Sequence, residues 1–220
     1  MLAKITPFTL TDYANHPACV LWFAGCNMRC AYCYNGSIIF AKQSILNDEI
    51  KAFLHSRIGK LDGVVFSGGE CTFCPKFFEL VTLAKELRFL VKIDTNGTNF
   101  SAIKTLVDNK MADFFALDFK ASKIKFELIT GTKLFGEFEK SFDFLLENSV
   151  NFELRTTFHS SLLNEKDIEE MSVWAYKKGY KDTYFIQNFL NSAPSLKNLA
   201  KSQKCDLSKI NSPLKIEIRN

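Results

Sequence analysis

Residues 25–35, with the sequence GCNMRCAYCYN, place three cysteines within eight residues. The cysteines are Cys26, Cys30 and Cys33, with gaps of three and then two residues between them. A loop can bring three thiolates at this spacing onto one inorganic core, whereas a straight helix or strand cannot. Iron–sulfur clusters are held by cysteine thiolates, usually four, so three thiolates leave one iron with an open coordination position. The spacing therefore indicates an iron–sulfur cluster that can bind a reacting ligand.

A closed zinc site is the alternative interpretation of the same three cysteines. His16, or Cys19 as a fourth thiolate, would complete a tetrahedron around the metal. Structural zinc ligands tend to come as separated pairs, so a gap of three followed by a gap of two is less typical of zinc. The spacing favours iron and leaves zinc open.

Short apolar runs alternate with amphipathic stretches from this loop onwards. Six runs are predicted as strands, at residues 19–24, 64–66, 89–94, 113–119, 152–158 and 183–189. Helices are predicted between them, one capped by Asn47 and one over residues 164–178 that ends at Gly179. Right-handed crossovers through such helices pair successive strands in parallel. The sequence thus predicts an α/β fold, a partial TIM-like (βα)6 barrel with parallel strands.

The length of the chain suits a single core. With 220 residues and a hydrophobic content of 47%, residues 1–220 are predicted as one domain. Residues 1–18 are predicted as a lead-in to this domain. Residues 191–220 are predicted as a tail packed on or beside the barrel, with residues 214–218 as a short edge strand.

Charge, hydropathy and cysteine content exclude several classes of protein. The formal net charge of +4 is spread along the sequence, which argues against a nucleic-acid partner. No stretch approaches the ~18 apolar residues of a membrane helix, and the start lacks an apolar signal segment. Seven cysteines then indicate metal or redox chemistry in a reducing compartment rather than disulfides. We therefore expect a cytoplasmic protein with neither a nucleic-acid nor a membrane partner.

Polar residues recur where the predicted strands end. These residues are Gly68, Gly69, Glu70, Asp94, Asn96, Asp118, Lys120, Arg155 and Gln187. Taken singly, each has an ordinary alternative, such as a tight turn, an Asx turn or a surface ion pair. The carboxyl ends of parallel strands form the ligand-binding face of α/β folds, so the shared location favours a binding site.

Cys71 and Cys74 follow Glu70 with the spacing of a CxxC pair. Such pairs can be redox-active. Small buried cysteines are also common as packing residues, and this second role is favoured here. The sequence leaves both roles open.

The pattern Cys26-x-x-x-Cys30-x-Tyr32-Cys33, with an aromatic residue before the third cysteine, resembles the signature of the radical S-adenosylmethionine (SAM) family. In that family a [4Fe–4S] cluster with three cysteine ligands binds the amino and carboxylate groups of SAM at its open iron. One electron from the reduced cluster cleaves SAM to methionine and a 5′-deoxyadenosyl radical. The resemblance implies that these three cysteines are the metal ligands and carry the catalytic cluster.

The resemblance extends to the strand ends. The string SGGE at residues 67–70 is similar to the Gly-Gly-Glu motif of the family, which contacts the SAM amino group. Tyr32 and Tyr34, beside the third cysteine, would lie against the adenine or the cluster. The residues implied to bind SAM are Tyr32, Tyr34, Gly68, Gly69, Glu70, Asp94, Asn96, Asp118, Lys120, Arg155 and Gln187.

The order of motifs along the chain indicates which type of radical SAM enzyme the sequence resembles. An opening FTLTDYANHPACVLWFAGCNMRC is followed by SGGE, DTNGT, ALDFKA and LRTTF. This order is similar to that of the glycyl-radical-enzyme activating enzymes, and most similar to the longer type of anaerobic ribonucleoside-triphosphate reductase activating protein. In those enzymes the deoxyadenosyl radical removes a hydrogen from a backbone glycine of a large partner. The resemblance implies an anaerobic ribonucleotide reductase as partner and a flavodoxin or ferredoxin as electron donor.

Three other functions remain as alternatives. A pyruvate formate-lyase type activating enzyme shares nearly all the same physical requirements. A small-molecule radical SAM enzyme like 7-carboxy-7-deazaguanine synthase has a comparable size, although the cysteine loop shows no matching insertion. From a different class, a zinc-binding interaction module would use the same cysteines as structural ligands.

Metal content separates the iron and zinc interpretations. Protein purified without oxygen is expected to be brown and to contain both iron and acid-labile sulfide, because thiolate-ligated iron clusters absorb visible light. Elemental analysis and an absorption spectrum provide the measurement. A colourless protein that contains zinc and no sulfide would contradict the prediction.

Overall fold

Eight strands form one sheet within residues 1–42, 44–192 and 194–219, which are those that the computed structural model describes. Their order in the sheet follows their order in the sequence. The first pairing is antiparallel, and the four further pairings with a defined register are parallel. Helices separate most of the parallel strands along the chain. The predicted α/β fold with mostly parallel strands is confirmed.

The chain divides into two compact units. Unit 1 comprises Met1–Asn27, Asn35–Thr95 and Ser101–Ala116. Unit 2 comprises Met28–Tyr34, Asn96–Phe100 and Leu117–Asn220. The prediction of one domain stays a prediction.

Unit 1 contains the first four strands and most of the fifth. These strands are β1 (Leu2–Thr9), β2 (Ala18–Phe23), β3 (Gly63–Gly68), β4 (Leu90–Thr95) and β5 (Phe114–Asp118). The helices of this part are α1 (Gly36–Ile39), α2 (Asn47–Arg57), α3 (Phe77–Glu86) and α4 (Phe100–Asp108). A short 3-10 turn, Cys71–Phe73, follows β3.

The core of unit 1 lies between its parallel strands and α3. The strand β2 pairs with β3, which in turn pairs with β4, and all three are buried over most of their length. Strands buried on both faces give nearly continuous apolar runs, which is why these three were predictable. The rings of Phe23, Phe66 and Phe77 meet at centroid distances of 5.8–6.2 Å and join α3 to the strands.

The predicted lead-in of residues 1–18 contains a strand that the sequence did not reveal. This strand, β1, pairs antiparallel with β2, from Leu2 opposite Phe23 to Thr9 opposite Ala18. Its register shifts twice, and Pro7 and Phe8 are exposed. An irregular strand with proline has no clean alternation of buried and exposed residues, so the period-two signal is missing.

The predicted cap of α2 is wrong. Asn47 is the first residue of the helix, Leu46 occupies the cap position, and no side chain caps this end. The Asn47 side chain instead accepts a 2.9 Å hydrogen bond from Lys76 Nζ. The side-chain oxygen that was expected to cap the helix therefore binds a lysine instead.

Unit 2 contains the remaining elements. They are α5 (Phe126–Thr130), α6 (Phe135–Glu147), β6 (Phe152–Phe158), α7 (Glu165–Lys177), β7 (Tyr184–Asn188) and β8 (Ile216–Arg219). Strand β6 has the predicted bounds, and the predicted edge strand at 214–218 corresponds to β8, which pairs in parallel with β7. Helix α5 was not predicted, because five residues are too few to show a helical period.

Aromatic side chains fill the core of unit 2. The Trp174 ring lies 5.0–5.8 Å from the rings of Phe119, Phe135 and Phe142, measured between centroids. These residues come from α6, α7 and the end of β5, so one cluster holds the three elements together. The abundance of phenylalanine is explained here by packing rather than by cofactor stacking.

The start of α7 offers a stability test. Asn164 and Asp167 form a capping box, in which each side chain accepts a hydrogen bond from the backbone of the other. Asn164→Ala is expected to lower the free energy of unfolding by about 1 kcal/mol, because the backbone N–H of Asp167 loses the side-chain oxygen that accepts from it. Urea denaturation of the metal-free protein measures this loss.

Asn47→Ala is the matched control for this experiment. It removes the same side chain at the start of α2, where no cap hydrogen bond exists. A smaller loss than that of Asn164→Ala is therefore expected. Equal losses in the two variants would contradict the role of the capping box.

Candidate functional site

The glycine turn after β3 packs against the segment that leads to the first cysteine. Gly69 N donates to Phe23 O at 2.8 Å, and Glu70 N donates to Gly25 O at 2.9 Å. A Cβ on Gly69 would overlap the carbonyl of Gly25, and Gly68 has a φ of +121°. Only glycine allows this close approach of two backbones. The pair of glycines therefore fixes the position of the chain just before Cys26, which is half-buried.

The Glu70 carboxylate is buried and held by hydroxyl groups. Its Oε1 atom accepts hydrogen bonds from Thr72 Oγ1 at 2.7 Å and Thr95 Oγ1 at 2.8 Å. The residue is only 1% exposed. A buried carboxylate oxygen needs hydrogen-bond donors, and the two threonines keep it in one orientation.

Asp94, at the end of β4, lies in a similar set of polar contacts. Ser67 Oγ donates to its Oδ2 at 3.0 Å, and Lys92 Nζ lies 3.1 Å from its Oδ1. Lys92 Nζ also donates to Asp12 O at 2.6 Å. The carboxylate is thus fixed at the end of the strand.

Cys71 is a packing residue in this structure. Its thiol donates weakly to Phe66 O at 3.6 Å and to Asp94 O at 3.5 Å. Burial, followed by the charge of Glu70, raises the pKa of Cys71 well above its usual value. A buried thiol of high pKa is a poor nucleophile, so the geometry favours packing over the redox role.

In unit 2, residues 28–34 of the cysteine loop are held from two sides. From α5, the carbonyls of Thr130 and Ile129 accept from Arg29 N at 2.8 Å and from Ala31 N at 2.9 Å. From the tail, Leu196 N donates to Cys33 O at 2.9 Å. The loop has no regular structure of its own, so these bonds set its path. Neither α5 nor the tail was predicted to have this role.

Tyr32 and Tyr34 flank Cys33 in different environments. Tyr32 is 3% exposed, and its hydroxyl is buried without a hydrogen-bond partner among the described residues. Burial raises the pKa of Tyr32 well above its usual value. Tyr34 is 41% exposed, and its ring lies 6.4 Å from that of Phe189. One tyrosine therefore offers a buried donor and the other an accessible ring.

Asp118, Lys120 and Arg155 form a charged group at the ends of β5 and β6. Arg155 Nε donates to Asp118 Oδ1 at 2.5 Å, and Lys120 Nζ donates to Asp118 Oδ2 at 2.9 Å. Burial alone would raise the pKa of Asp118, but the two cations lower it to about 2. The predicted alternation that places Asp118 and Lys120 on one face is borne out by their contact. Arg155 Nη1 also lies 3.9 Å from Glu153 Oε1, which pairs with Arg219, so three cations face two carboxylates and the connected group has an excess of one positive charge.

Two other predicted residues have simpler surroundings. Asn96 Oδ1 accepts from Thr98 N at 3.0 Å and from Thr98 Oγ1 at 2.6 Å, which is an Asx turn. Gln187 lies in β7 with its side chain partly exposed, in a small recess next to Tyr34. Asn96 thus fits the turn interpretation, while Gln187 remains near other polar side chains of unit 2.

Three residues of that recess were missed by the sequence reasoning. They are Thr157 in β6, Asn188 at the end of β7 and Arg219 in β8. Asn188 follows Gln187 directly, so its place at a strand end was a usable signal. Arg219 had no such signal, because the pairing of β8 with β7 depends on the fold of the tail.

Each unit, taken by itself, contains groups that suit part of a cofactor with an amino and a carboxylate group. Unit 1 supplies a glycine turn that a Cβ would fill and a fixed carboxylate, Glu70. Unit 2 supplies two thiols, two cations and the unpartnered hydroxyl of Tyr32. Thiolates are soft ligands that suit iron–sulfur clusters.

Comparisons with known proteins agree with these features. The family model described as Radical SAM superfamily matches residues 20–174. A Methanocaldococcus jannaschii protein named as a glycyl-radical enzyme activating enzyme is 33% identical over 198 residues, covering 86% of this chain and 80% of the relative. A Clostridium pasteurianum pyruvate formate-lyase-activating enzyme is 32% identical over 110 residues, covering 46% of this chain and 44% of the relative.

Solved structures share the fold at low sequence identity. Streptococcus suis SuiB bound to S-adenosylmethionine superposes with a TM-score of 0.67 at 15% identity, covering 91% of this chain and 52% of that one. Native anSMEcpe with bound AdoMet gives a TM-score of 0.62 at 23% identity, covering 76% and 50%. The chain spans about half the length of these structures. No helix in the described part of the chain is long and apolar enough to cross a membrane.

The charged group around Asp118 predicts a pH dependence of stability. The pKa of Asp118, about 2, lies below the ordinary aspartate value of 3.8, so the ionised carboxylate stabilises the fold at pH values above 3.8. That stabilisation is lost as the pH falls from about 5 through about 2, and it amounts to about 2 kcal/mol. Wild-type metal-free protein is therefore expected to lose about 2 kcal/mol more than Asp118→Asn over this range, measured by urea unfolding.

Asp182→Asn is the control, because it removes an exposed carboxylate from the same unit. Its stability should change with pH in parallel with the wild type. Parallel curves for wild type and Asp118→Asn would show that the two cations do not stabilise this carboxylate.

Proposed function

The chain belongs to the radical SAM superfamily, and we propose that it is an activating enzyme that generates a glycyl radical on a large partner protein. The observation that carries the proposal is the 33% identity to a glycyl-radical enzyme activating enzyme over 86% of this chain and 80% of the relative. The match extends well beyond the cysteine motif. The M. jannaschii relative therefore supports the same class of activity here.

The proposed cluster ligands are Cys26, Cys30 and Cys33. The superfamily implies a [4Fe–4S] cluster and SAM. Support for these three thiols comes from their spacing and from the backbone bonds that fix the chain at Gly25 and at Cys33. The other cysteines suit ligation less well. Cys19, for example, is fully buried within β2, and burial raises its pKa to about 12.

The remaining candidate residues would hold SAM. When bound at the cluster, SAM supplies the 5′-deoxyadenosyl radical that abstracts hydrogen. The Gly68–Gly69 turn gives close backbone approach, and the Glu70 carboxylate offers an acceptor for an amino group. Lys120 and Arg155 offer cations for a carboxylate. Asp94, Asn96 and Gln187 are proposed for the polar atoms of the cofactor.

The protein side chains also control water and charge around the cofactor. Tyr32 is buried beside the charges of Cys30, Lys120 and Asp118, so its ring removes water from that part of unit 2. Exclusion of water strengthens each electrostatic contact and protects a reactive radical from side reactions. The excess positive charge of the Asp118 group favours an anionic group of the ligand.

An anaerobic ribonucleotide reductase is the proposed partner. The order of motifs along the chain is the support for this choice. A pyruvate formate-lyase type enzyme is the second candidate, and the 32% identity over 110 residues to the C. pasteurianum activating enzyme favours it. A flavodoxin or ferredoxin is proposed as electron donor and the cytoplasm as location, because SAM cleavage needs a single low-potential electron and reduced thiols.

Electron paramagnetic resonance tests the proposal directly. Reduced protein with SAM is incubated separately with an anaerobic ribonucleotide reductase and with a pyruvate formate-lyase. A glycyl radical doublet on the reductase is the expected result. A doublet only on the lyase would select the second candidate, and no doublet on either would contradict both.

Cys30→Ala provides the matched test of the cluster ligands. This variant is expected to lose iron, 5′-deoxyadenosine formation and the glycyl radical, while circular dichroism stays unchanged, because the loop lies outside both aromatic cores. Cys19→Ala is the control and should keep all three. Loss of the metal in Cys19→Ala would favour the zinc alternative in which Cys19 is a ligand.

A further inference from the structure

A small recess in unit 2 contains, beside Tyr34 and Gln187, the side chain of Asn188, which the proposed chemistry does not use. It is lined by Tyr34, Thr157, Gln187, Asn188, Leu190 and Arg219. Tyr34 comes from the cysteine loop, Leu190 from the segment after β7, and the other residues from β6, β7 and β8. The recess therefore lies at the carboxyl ends of three neighbouring strands, where ligand sites are expected.

Asn188 carries an unpartnered donor in this recess. The residue is 8% exposed, and its Oδ1 accepts a 2.8 Å hydrogen bond from Cys205 N. That bond fixes the orientation of the amide, because only the oxygen can accept from a backbone N–H. Its Nδ2 atom is buried without a hydrogen-bond partner among the described residues. A buried donor without a partner destabilises the folded state, so a ligand that accepts from it recovers this cost.

The other polar groups of the recess are compatible with a neutral acceptor. Arg219 donates to Glu153 at 2.6 Å, and its guanidinium lies 3.5 Å from the Phe185 ring centroid. Its charge is thus already balanced by Glu153. Gln187 adds a second side-chain amide. A recess whose own cation is paired with a carboxylate and whose other side-chain donors are amides suits an amide carbonyl.

The size of the recess points to one group of a larger molecule. Its cavity volume is about 50 Å³. Sites that enclose a whole small molecule usually measure ~300–1,000 Å³. At its rim, Tyr34 and Leu190 are 41% and 45% exposed and present apolar surface that a chain could cover. A peptide segment has both a backbone carbonyl that can enter the recess and a chain that can cover the apolar rim.

We propose that this recess binds a backbone carbonyl of the partner's glycine-bearing segment, with Asn188 Nδ2 as the hydrogen-bond donor. The identity of the partner rests on the proposed function. The recess binds by hydrogen bonding and positions the segment, while bond cleavage takes place elsewhere. Asn188 is accordingly a residue that determines substrate binding.

A minimal amide probe tests the recess without any partner protein. The probe is N-acetylglycine N-methylamide, titrated into ¹⁵N-labelled holoenzyme with an oxidised cluster. A saturable shift of the Asn188 side-chain amide signals is expected, and the signals are assigned by their absence in Asn188→Asp. The Gln187 side-chain amide serves as the reporter of binding in both proteins.

Asn188→Asp keeps the oxygen that accepts from Cys205 N and replaces the donor by a second oxygen. It is therefore expected to fold and to bind the probe about tenfold more weakly. Asn198→Asp is the control, since it makes the same change at an exposed position of the tail and should bind as the wild type does. Equal affinity in Asn188→Asp, or no saturable shift in the wild type, would overturn the proposal. Competitive displacement of the probe by SAM would assign the recess to the cofactor and also overturn it.

The failure of this inference is distinguishable from failure of the proposed function. The titration needs no radical chemistry, so it reports on the recess alone. If the wild type forms glycyl radicals and the probe does not bind, the inference is wrong and the function stands. If the probe binds at Asn188 but no partner acquires a radical, the recess does bind an amide carbonyl and the proposed function is wrong.

Discussion

The backbone of the cysteine loop cannot satisfy its own hydrogen bonds, and this constraint shapes the surrounding structure. A loop that presents thiolates to one inorganic core has neither helical nor strand pairing. Its N–H and C=O groups therefore need partners from elsewhere. The carbonyls at the end of α5 accept from Arg29 N and Ala31 N, and Leu196 N of the tail donates to Cys33 O. The short helix and the irregular tail, which have little pattern in the sequence, are explained by this need.

A second constraint is the burial of charge at the ends of β5 and β6. Asp118 is held between Arg155 and Lys120, which lower its pKa to about 2 despite its burial. Removal of one partner from such a group leaves an uncompensated buried charge, which is costly. Asp118, Arg155 and Lys120 therefore depend on one another and act as a single charged group. Together with Glu153 and Arg219, which are linked to Arg155, three cations face two carboxylates, and the surplus positive charge favours anionic groups of a ligand.

Much of the fold was predictable because buried parallel strands have a strong signature. Strands β2, β3, β4 and β6 are buried over most of their length, and the cysteine spacing and strand-end residues could be read directly. The rest depended on tertiary contacts. The proline in β1 hides its period, the cap expected at Asn47 was lost to Lys76, and Arg219 joined the recess only through the pairing of β8. These contacts join residues that are distant in the sequence, so a local sequence pattern does not predict them.

The candidate site residues of the two units differ in how far their polar atoms are already hydrogen-bonded. In unit 1, Glu70 and Asp94 are fixed by hydroxyl and ammonium donors of neighbouring strands. In unit 2, Tyr32 Oη and Asn188 Nδ2 are buried without partners among the described residues. Such atoms destabilise the fold unless a ligand completes their hydrogen bonds, whereas saturated groups hold their geometry with or without one. Ligand binding should therefore stabilise unit 2 more than unit 1, with the unpartnered donors as the atoms through which it acts.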